Sequence, residues 1–381
     1  MVRQDYQPLL DKLLARFNSW TARHLSFAGR LQLIHSVIYS TITFWASVFI
    51  LPNSCIEEIE SMCSAFLWKG TPNSARGAKV NWESVCTPKE SGGLRVKRLN
   101  NWNKVFALKL IWLIFAAGGS LWVSWVRLHL IGNQCFWDLD GSASSSWIWR
   151  NLCKLRPLAK QFIICEVGSV VNLDPEVQDD FYLWKIGDAA PSNSFSTADT
   201  WRHLHPPGIK VDWFDSVWFK GRIPKHAIIA WLNSRHRLLT RDRLVRWGFA
   251  VPSTCLLCSS MDETRQLLFF DCSYTKEVWH HFTGKVHLSP PSTFEAGVRW
   301  LKNPCRDKNI TWILRLLYQA SVYSIWKERN SRIHSSIFRP ASALIQEIKN
   351  IIRAHLGPLT LKQRLSNPGD SLLVTWFRFF L

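Results

Sequence analysis

Residues 217–279 read VWFKGRIPKHAIIAWLNSRHRLLTRDRLVRWGFAVPSTCLLCSSMDETRQLLFFDCSYTKEVW. The stretch is punctuated like a series of short helices. Pro224 sits where a first-turn proline belongs, ahead of KHAIIAWLNSRHRLL, because its missing N–H would be unpaired there anyway. Thr240 can cap RDRLVRWG, and Gly248 can stop it. Cysteines follow. Cys255 and Cys258 have the Cys-x2-Cys spacing that grips one side of a structural zinc, and Cys272 is a third soft ligand. Structural sites are almost always four-coordinate. The place upstream of Cys272 where a fourth ligand should sit holds Leu267, whose side chain donates nothing to a metal. His280 and His281 lie just past Trp279. Two readings follow: a rebuilt site of Cys255, Cys258 and Cys272 with His280 or His281, or cysteines without a stable metal, packed by the apolar residues 267–270.

The same stretch is dense in cations. Lys220, Arg222, Lys225, Arg235, Arg237, Arg241, Arg243 and Arg246 crowd a short span, interleaved with Trp218, Trp231 and Trp247. Cations for phosphates beside planar rings for stacking is the general pattern of single-strand and structured-RNA binding. The cations are read as phosphate contacts and the tryptophans as core.

The whole chain leans the same way. It has 381 residues and a formal net charge of +19, a surface that favours polyanions, RNA or DNA above all. Hydrophobic residues make up 47%, a globular composition. The 22 tryptophans require many large rings to be buried or used on a binding face. Ten cysteines in so long a chain are no disulfide framework, so reduced, buried thiols in cytoplasm or nucleus are expected. The N-terminus, MVRQDYQPLLDKLLARF, is too polar for a secretory signal. Residues 37–51, VIYSTITFWASVFIL, are apolar but shorter than the roughly 20 residues that span a bilayer. A buried helix is expected there, and no membrane partner.

The predicted fold class is mainly α: a helical region over 1–153, an irregular connector over 154–195, a small helical module over 196–285 and a helical tail over 286–381. Leu9, Leu10, Leu13, Leu14, Phe17 and Trp20 recur at helical spacing, as do Ile56, Ile59, Cys63, Phe66 and Leu67. Asn53 or Ser54 can cap the second of these helices, and Gly70 can end it. The connector contains the loop-like NLDPEVQDD and GDAAPSNS. Longer helices are expected over about 311–334 and 341–355.

An ordered series of elements carries a family resemblance: Trp218, Ile223-Pro224-Lys225, Leu239-Thr240 through Leu244, Cys255 and Cys258, Glu263-Thr264, Leu268-Phe269-Phe270 with Cys272, and Val278-Trp279. This looks like the reverse-transcriptase zinc-binding domain near the C-terminus of plant non-LTR (LINE-type) retrotransposon polyproteins. LSFAGRLQLIHSVIYSTITFW, FLWKG, VNWESVCTPKESGGLRVKRLNNWNKVFALKLIW and LWVSWV resemble the region after the polymerase palm in the same elements, and IWKERNSRIH resembles the family's closing helix. The resemblance implies a thumb-like helical region and a zinc-binding-type module. It also implies Zn2+ at a site whose histidine position falls on Leu267, so that the inherited site is incomplete, and a role in seating RNA or DNA. A thumb-like region normally packs on a palm, so apolar surface in residues 1–130 is expected to be open to self-association.

Catalysis finds no support in the residues. A reverse transcriptase needs palm carboxylates holding paired divalent ions, on a hairpin with an aromatic residue two before Asp-Asp. The Asp179-Asp180 pair follows Val177-Gln178 in an acidic loop-like stretch. By the resemblance the palm would precede residue 1. Glu295, Asp307, Glu328 and Glu347 fall mostly on apparent helices, without the strand alternation of a ribonuclease H mixed sheet. The chain is therefore read as a non-catalytic remnant of a reverse transcriptase that binds nucleic acid. The alternative is a degenerate, structural or protein-interaction helical protein.

Overall fold

The computed structural model describes residues 2–20, 25–116, 120–139, 146–166, 181–364 and 371–381. The described residues are mainly α-helical, with a single two-stranded sheet among them. They form two compact units. The first comprises residues 1–25, 29–88 and 93–208, and the second 26–28, 89–92 and 209–381.

The first unit starts with the Arg3–Ser19 helix, which buries Tyr6, Leu9, Leu10, Leu13 and Phe17. These positions recur at three and four residues, so one apolar stripe faces the Asn53–Lys69 helix. Phe17 meets Phe66 there, ring centroids 4.9 Å apart. Gly70 ends the second helix in the left-handed conformation, φ 82°, as its sequence position suggested. The start differs from expectation. Pro52 is the N-cap and no side chain caps the helix, while the Ser54 hydroxyl pairs with Tyr6 Oη at 3.0 Å.

The apolar run 37–51 forms a π turn over Ile34–Ile38 and the Tyr39–Ala46 helix. No helix among the described residues is long and apolar enough to cross a membrane. The Leu99–Phe115 helix is buried on most of its surface and is the axis of an aromatic core with Trp112, Phe136, Trp149, Phe162 and Trp184. Trp184 stacks on Phe162 at 5.0 Å. Ile163–Glu166 and Phe181–Trp184 pair antiparallel, Ile163 opposite Trp184, inside the stretch expected to be irregular. Pairing there seats Trp184 in the core, a long-range gain that a loop-like local sequence does not announce. Asp179-Asp180 lies outside the described residues. One face is left open: Leu121, Trp125 and Leu128 are 89%, 53% and 73% exposed.

The second unit is built on the Lys308–His334 helix, whose buried residues run from Ile313 to Arg329. Against it lie the Pro224–Ser234, Ser273–Gly284, Ala341–Arg364 and Leu372–Phe379 helices. Gln319 fastens the entry of the module, donating at 2.9 Å to the carbonyls of Ser216 and of Val217. Gly221, φ 80°, precedes the Pro224 helix; a Cβ there would collide with the Trp312 ring. Pro224 opens its helix in the first turn as expected, but the helix stops at Ser234, because His236 turns to positive φ.

Candidate metal centre and basic pocket

The cysteine segment folds as a tight knuckle. Thr254 and Asp262 form an antiparallel bridge, Cys255 N–H donates to Met261 O at 2.7 Å, and Ser259 N–H returns to Cys255 O at 2.9 Å. Inside the turn, Leu257 N–H points to Cys255 Sγ at 3.4 Å, a donor that favours a thiolate. Cys272 arrives from a separate element. It follows the π turn Leu267–Asp271 and is the N-cap of the Ser273–Gly284 helix.

The three sulfurs of Cys255, Cys258 and Cys272 lie within 4.8 Å of one another. With Zn–S bonds of about 2.3 Å, a tetrahedral site needs sulfurs about 3.8 Å apart, so one ion could bridge this triangle. Cys255 and Cys272 are both buried. Cys255 donates to Cys272, which raises the Cys255 thiol with burial adding to the effect, and the same bond draws the Cys272 thiol down. The donor set thus fits three positions of a zinc site, and among the described residues no fourth side chain joins it.

His280 does not complete the set. It is exposed, and eight residues along the helix from Cys272 amount to about 12 Å of rise. His281 is partly buried beside Phe282, and burial, with Lys285 and Lys349, lowers its basicity. Of the rebuilt set with His280 or His281, the structure brings together the three cysteines, and neither histidine is among the clustered donors. Leu267 is buried and joined to Cys272 across the π turn, its carbonyl accepting Cys272 N–H at 2.9 Å.

The knuckle is framed by charges. Glu263, fully buried, accepts Arg329 Nη2 at 2.7 Å and the Arg241 backbone N–H at 3.0 Å. Thr240 occupies the N-cap position of the Arg241–Arg246 helix without a side-chain cap bond, so Glu263 does the capping that was assigned to threonine. Arg332 donates to the carbonyls of Leu256 and Leu257, at 2.9 and 3.3 Å, between the first two cysteines. Glu328 holds Arg332 at 3.0 Å and Arg339 at 2.8 Å. Burial alone would raise the Glu328 carboxyl, but the bonds from Arg339 and Arg332 prevail and hold it below the ordinary range.

The cations separate into groups. Lys220, Arg222 and Lys225 lie at the start of the Pro224–Ser234 helix, where Arg222 sits 5.2 Å over Trp218 and Lys225 5.2 Å over Tyr323. Arg241 binds Thr254 O beside the knuckle. Beyond the other end of the helix, about 16 Å away, Arg235, Arg237, Arg243 and Arg246 line one cavity of about 360 Å3. Arg265, missed in the sequence, lines it too, with Asn233, His236 and Asp242. It was missed because it follows Glu263-Thr264 in a segment read for metal ligands. Burial lowers Arg235, Arg243 and Arg265 from the usual guanidinium value, and Arg237 adds repulsion at the first two. Of the tryptophans, Trp218 and Trp231 are buried as expected, whereas Trp247 is 54% exposed with Arg243 4.9 Å over its ring.

Residues 195–279, which contain the knuckle and the cavity, match the family described as zinc-binding in reverse transcriptase. An Arabidopsis thaliana protein named "Putative ribonuclease H protein" is 30% identical over 149 residues, 38% of this chain and 24% of that protein. The chain thus spans about a quarter of the length of the curated relative it matches. The family match and the clustered sulfurs of Cys255, Cys258 and Cys272 together point to a zinc site. Together the two likenesses indicate a retrotransposon-derived protein.

Proposed function

We propose that this chain is a non-catalytic, nucleic-acid-binding part of a plant LINE-type retrotransposon reverse transcriptase, acting in nucleus or cytoplasm. Its second unit carries the binding. The observation that supports this best is the convergence of Arg235, Arg237, Arg243, Arg246 and Arg265 on one cavity in a chain of net charge +19. Zinc, when bound, crosslinks the knuckle to the helix that follows Cys272 and so stiffens the support of that cavity. Cys255, Cys258 and Cys272 would hold it. Their backbone donor and the Arg332 bonds to the knuckle carbonyls keep the sulfurs in place.

The test is RNA and DNA binding by the purified chain across a salt series. Binding through phosphates gives log K falling linearly with log salt, by about 0.7 per phosphate for single strands. Absence of binding near 0.15 M salt, or binding indifferent to salt, overturns the reading.

A second reading rests on Leu267. With an apolar residue at the family's histidine position, the module can persist as a helical scaffold for protein contacts, without a nucleic-acid role. The same salt series separates the two.

A further inference from the structure

Asn233 is the anomaly of the basic cavity. It is fully buried near the end of the Pro224–Ser234 helix, and neither its amide oxygen nor its amide nitrogen has a hydrogen-bond partner. An orphaned buried amide costs on the order of 1–3 kcal/mol, part of which an acceptor bound in the cavity would recover at the amide nitrogen. Around it the cations are held at different depths. Arg235 is anchored on Gly92 O at 2.8 Å, Arg243 on the carbonyls of His236 and Leu238, and Arg265 on Glu295. Arg237 and Arg246 are exposed, and their side chains make no hydrogen bond or ion pair among the described residues. Asp242 is the one carboxylate in the lining, with one oxygen unpaired. Asp242, with Glu295 paired to Arg265, leaves two acids against five arginines.

We infer that this cavity binds a phosphate group of a nucleic-acid strand, with Arg237 and Arg246 as the capturing cations and the Asn233 amide as a hydrogen-bond donor in its depth. Guanidinium forks match phosphate oxygens in geometry and charge. The volume, about 360 Å3, is at the small end of ligand pockets, which suits one nucleotide and not a duplex. The anchored arginines are fixed before binding, so little side-chain entropy is lost at them. The inference rests on the nucleic-acid reading above and adds which residues take the phosphate.

The experiment uses the full chain and a fluorescent 12-nucleotide single-stranded RNA, with inorganic pyrophosphate as a second probe. In R237S/R246S, RNA affinity falls about tenfold or more, and the salt slope falls by about one phosphate equivalent. K276S/R306S removes the same charge from exposed positions outside the cavity and changes affinity less than about threefold. Asn233→Leu gives the sharper result. Removing an orphaned amide raises the melting temperature of the free protein while RNA binding weakens. Equal losses in the two double variants, or Asn233→Leu binding as tightly as wild type, overturns the pocket and leaves general nucleic-acid binding intact. If wild type binds no RNA but pyrophosphate raises its melting temperature, and R237S/R246S abolishes that shift, the pocket takes free phosphate and the strand is overturned as its occupant. No response to either probe overturns both readings.

Discussion

Arg329 lays its guanidinium across both carboxylate oxygens of Glu263, Nη2 to Oε1 at 2.7 Å and Nε to each oxygen at 3.2 Å, with the two side chains 4% and 0% exposed. The pair joins two segments that sequence alone leaves 66 residues apart. Glu263 also caps the Arg241–Arg246 helix and sits next to the knuckle bridge at Asp262. One carboxylate therefore fixes the long helix, the knuckle and a wall of the basic cavity.

Removing one partner of such a pair strands the other without its counter-charge. Glu263→Gln and Arg329→Met are each expected to destabilise the chain by about 3–5 kcal/mol in urea unfolding. The double variant is expected to lose clearly less than the sum. Additive losses would mean that the two groups act independently.

Much of this was readable in advance, where local chemistry decides. Pro224 starts its helix and Gly70 and Gly248 end theirs, because a missing N–H and a left-handed φ are local demands. The cysteines meet because Cys255 and Cys258 share one turn and Cys272 begins the next helix. Failures came where a distant group decides. Thr240 was a reasonable cap until Glu263, far along the chain, took the donor. His280 was near in sequence but not in space, because a helix converts eight residues into about 12 Å. The clustering of Arg235, Arg243 and Arg265 depends on one helix end, a second short helix and the turn that follows Thr264 meeting in space, which no spacing rule encodes.

The zinc site can be pushed in both directions. Three thiolates bind more weakly than a full set, so a chelator strips zinc readily and lowers the melting temperature of the wild type. Cys255→Ser abolishes stoichiometric zinc. L267H places an imidazole one π turn from Cys272, at the family's histidine position, and is expected to raise zinc affinity about tenfold or more. Arg332→Met leaves every sulfur in place but removes the donors to Leu256 O and Leu257 O, and should cost about 10–100-fold in affinity. Competition titration against a chromophoric chelator reads all four proteins. An unchanged affinity in Arg332→Met would show that the knuckle holds itself.

The exposed apolar stripe of the first unit makes self-association an expected property. Leu121, Trp125 and Leu128 are spaced by four and three residues on one helical segment and are more than half exposed. A second copy offers the same stripe in return, as two-fold pairing requires. Light scattering should give a mass that rises with protein concentration, and Trp125→Glu with Leu128→Lys should keep the chain monomeric. A concentration-independent monomer in the wild type would remove the stripe as a contact.

His226 supplies a pH dependence whose sign is fixed by burial. It is fully buried, its ring stacks on Tyr323 at 4.5 Å, and neither ring nitrogen has a hydrogen-bond partner. Burial, with Lys225 and His355 adding and Glu347 opposing, pushes its pKa down to about 3. An unfolded histidine titrates near 6.5, so between these values the unfolded chain binds a proton that the folded chain refuses. Stability is therefore fully present above about pH 6.5 and is lost as pH falls toward about 3, at no more than about 1.4 kcal/mol per pH unit. His226→Phe keeps the stack, removes two orphaned nitrogens and cannot be protonated. It should flatten the decline between pH 6.5 and 4 and leave stability at pH 7.5 equal or higher. Urea unfolding of both proteins across that range gives the answer: parallel curves would mean that His226 is protonated in the folded chain as readily as in the unfolded one.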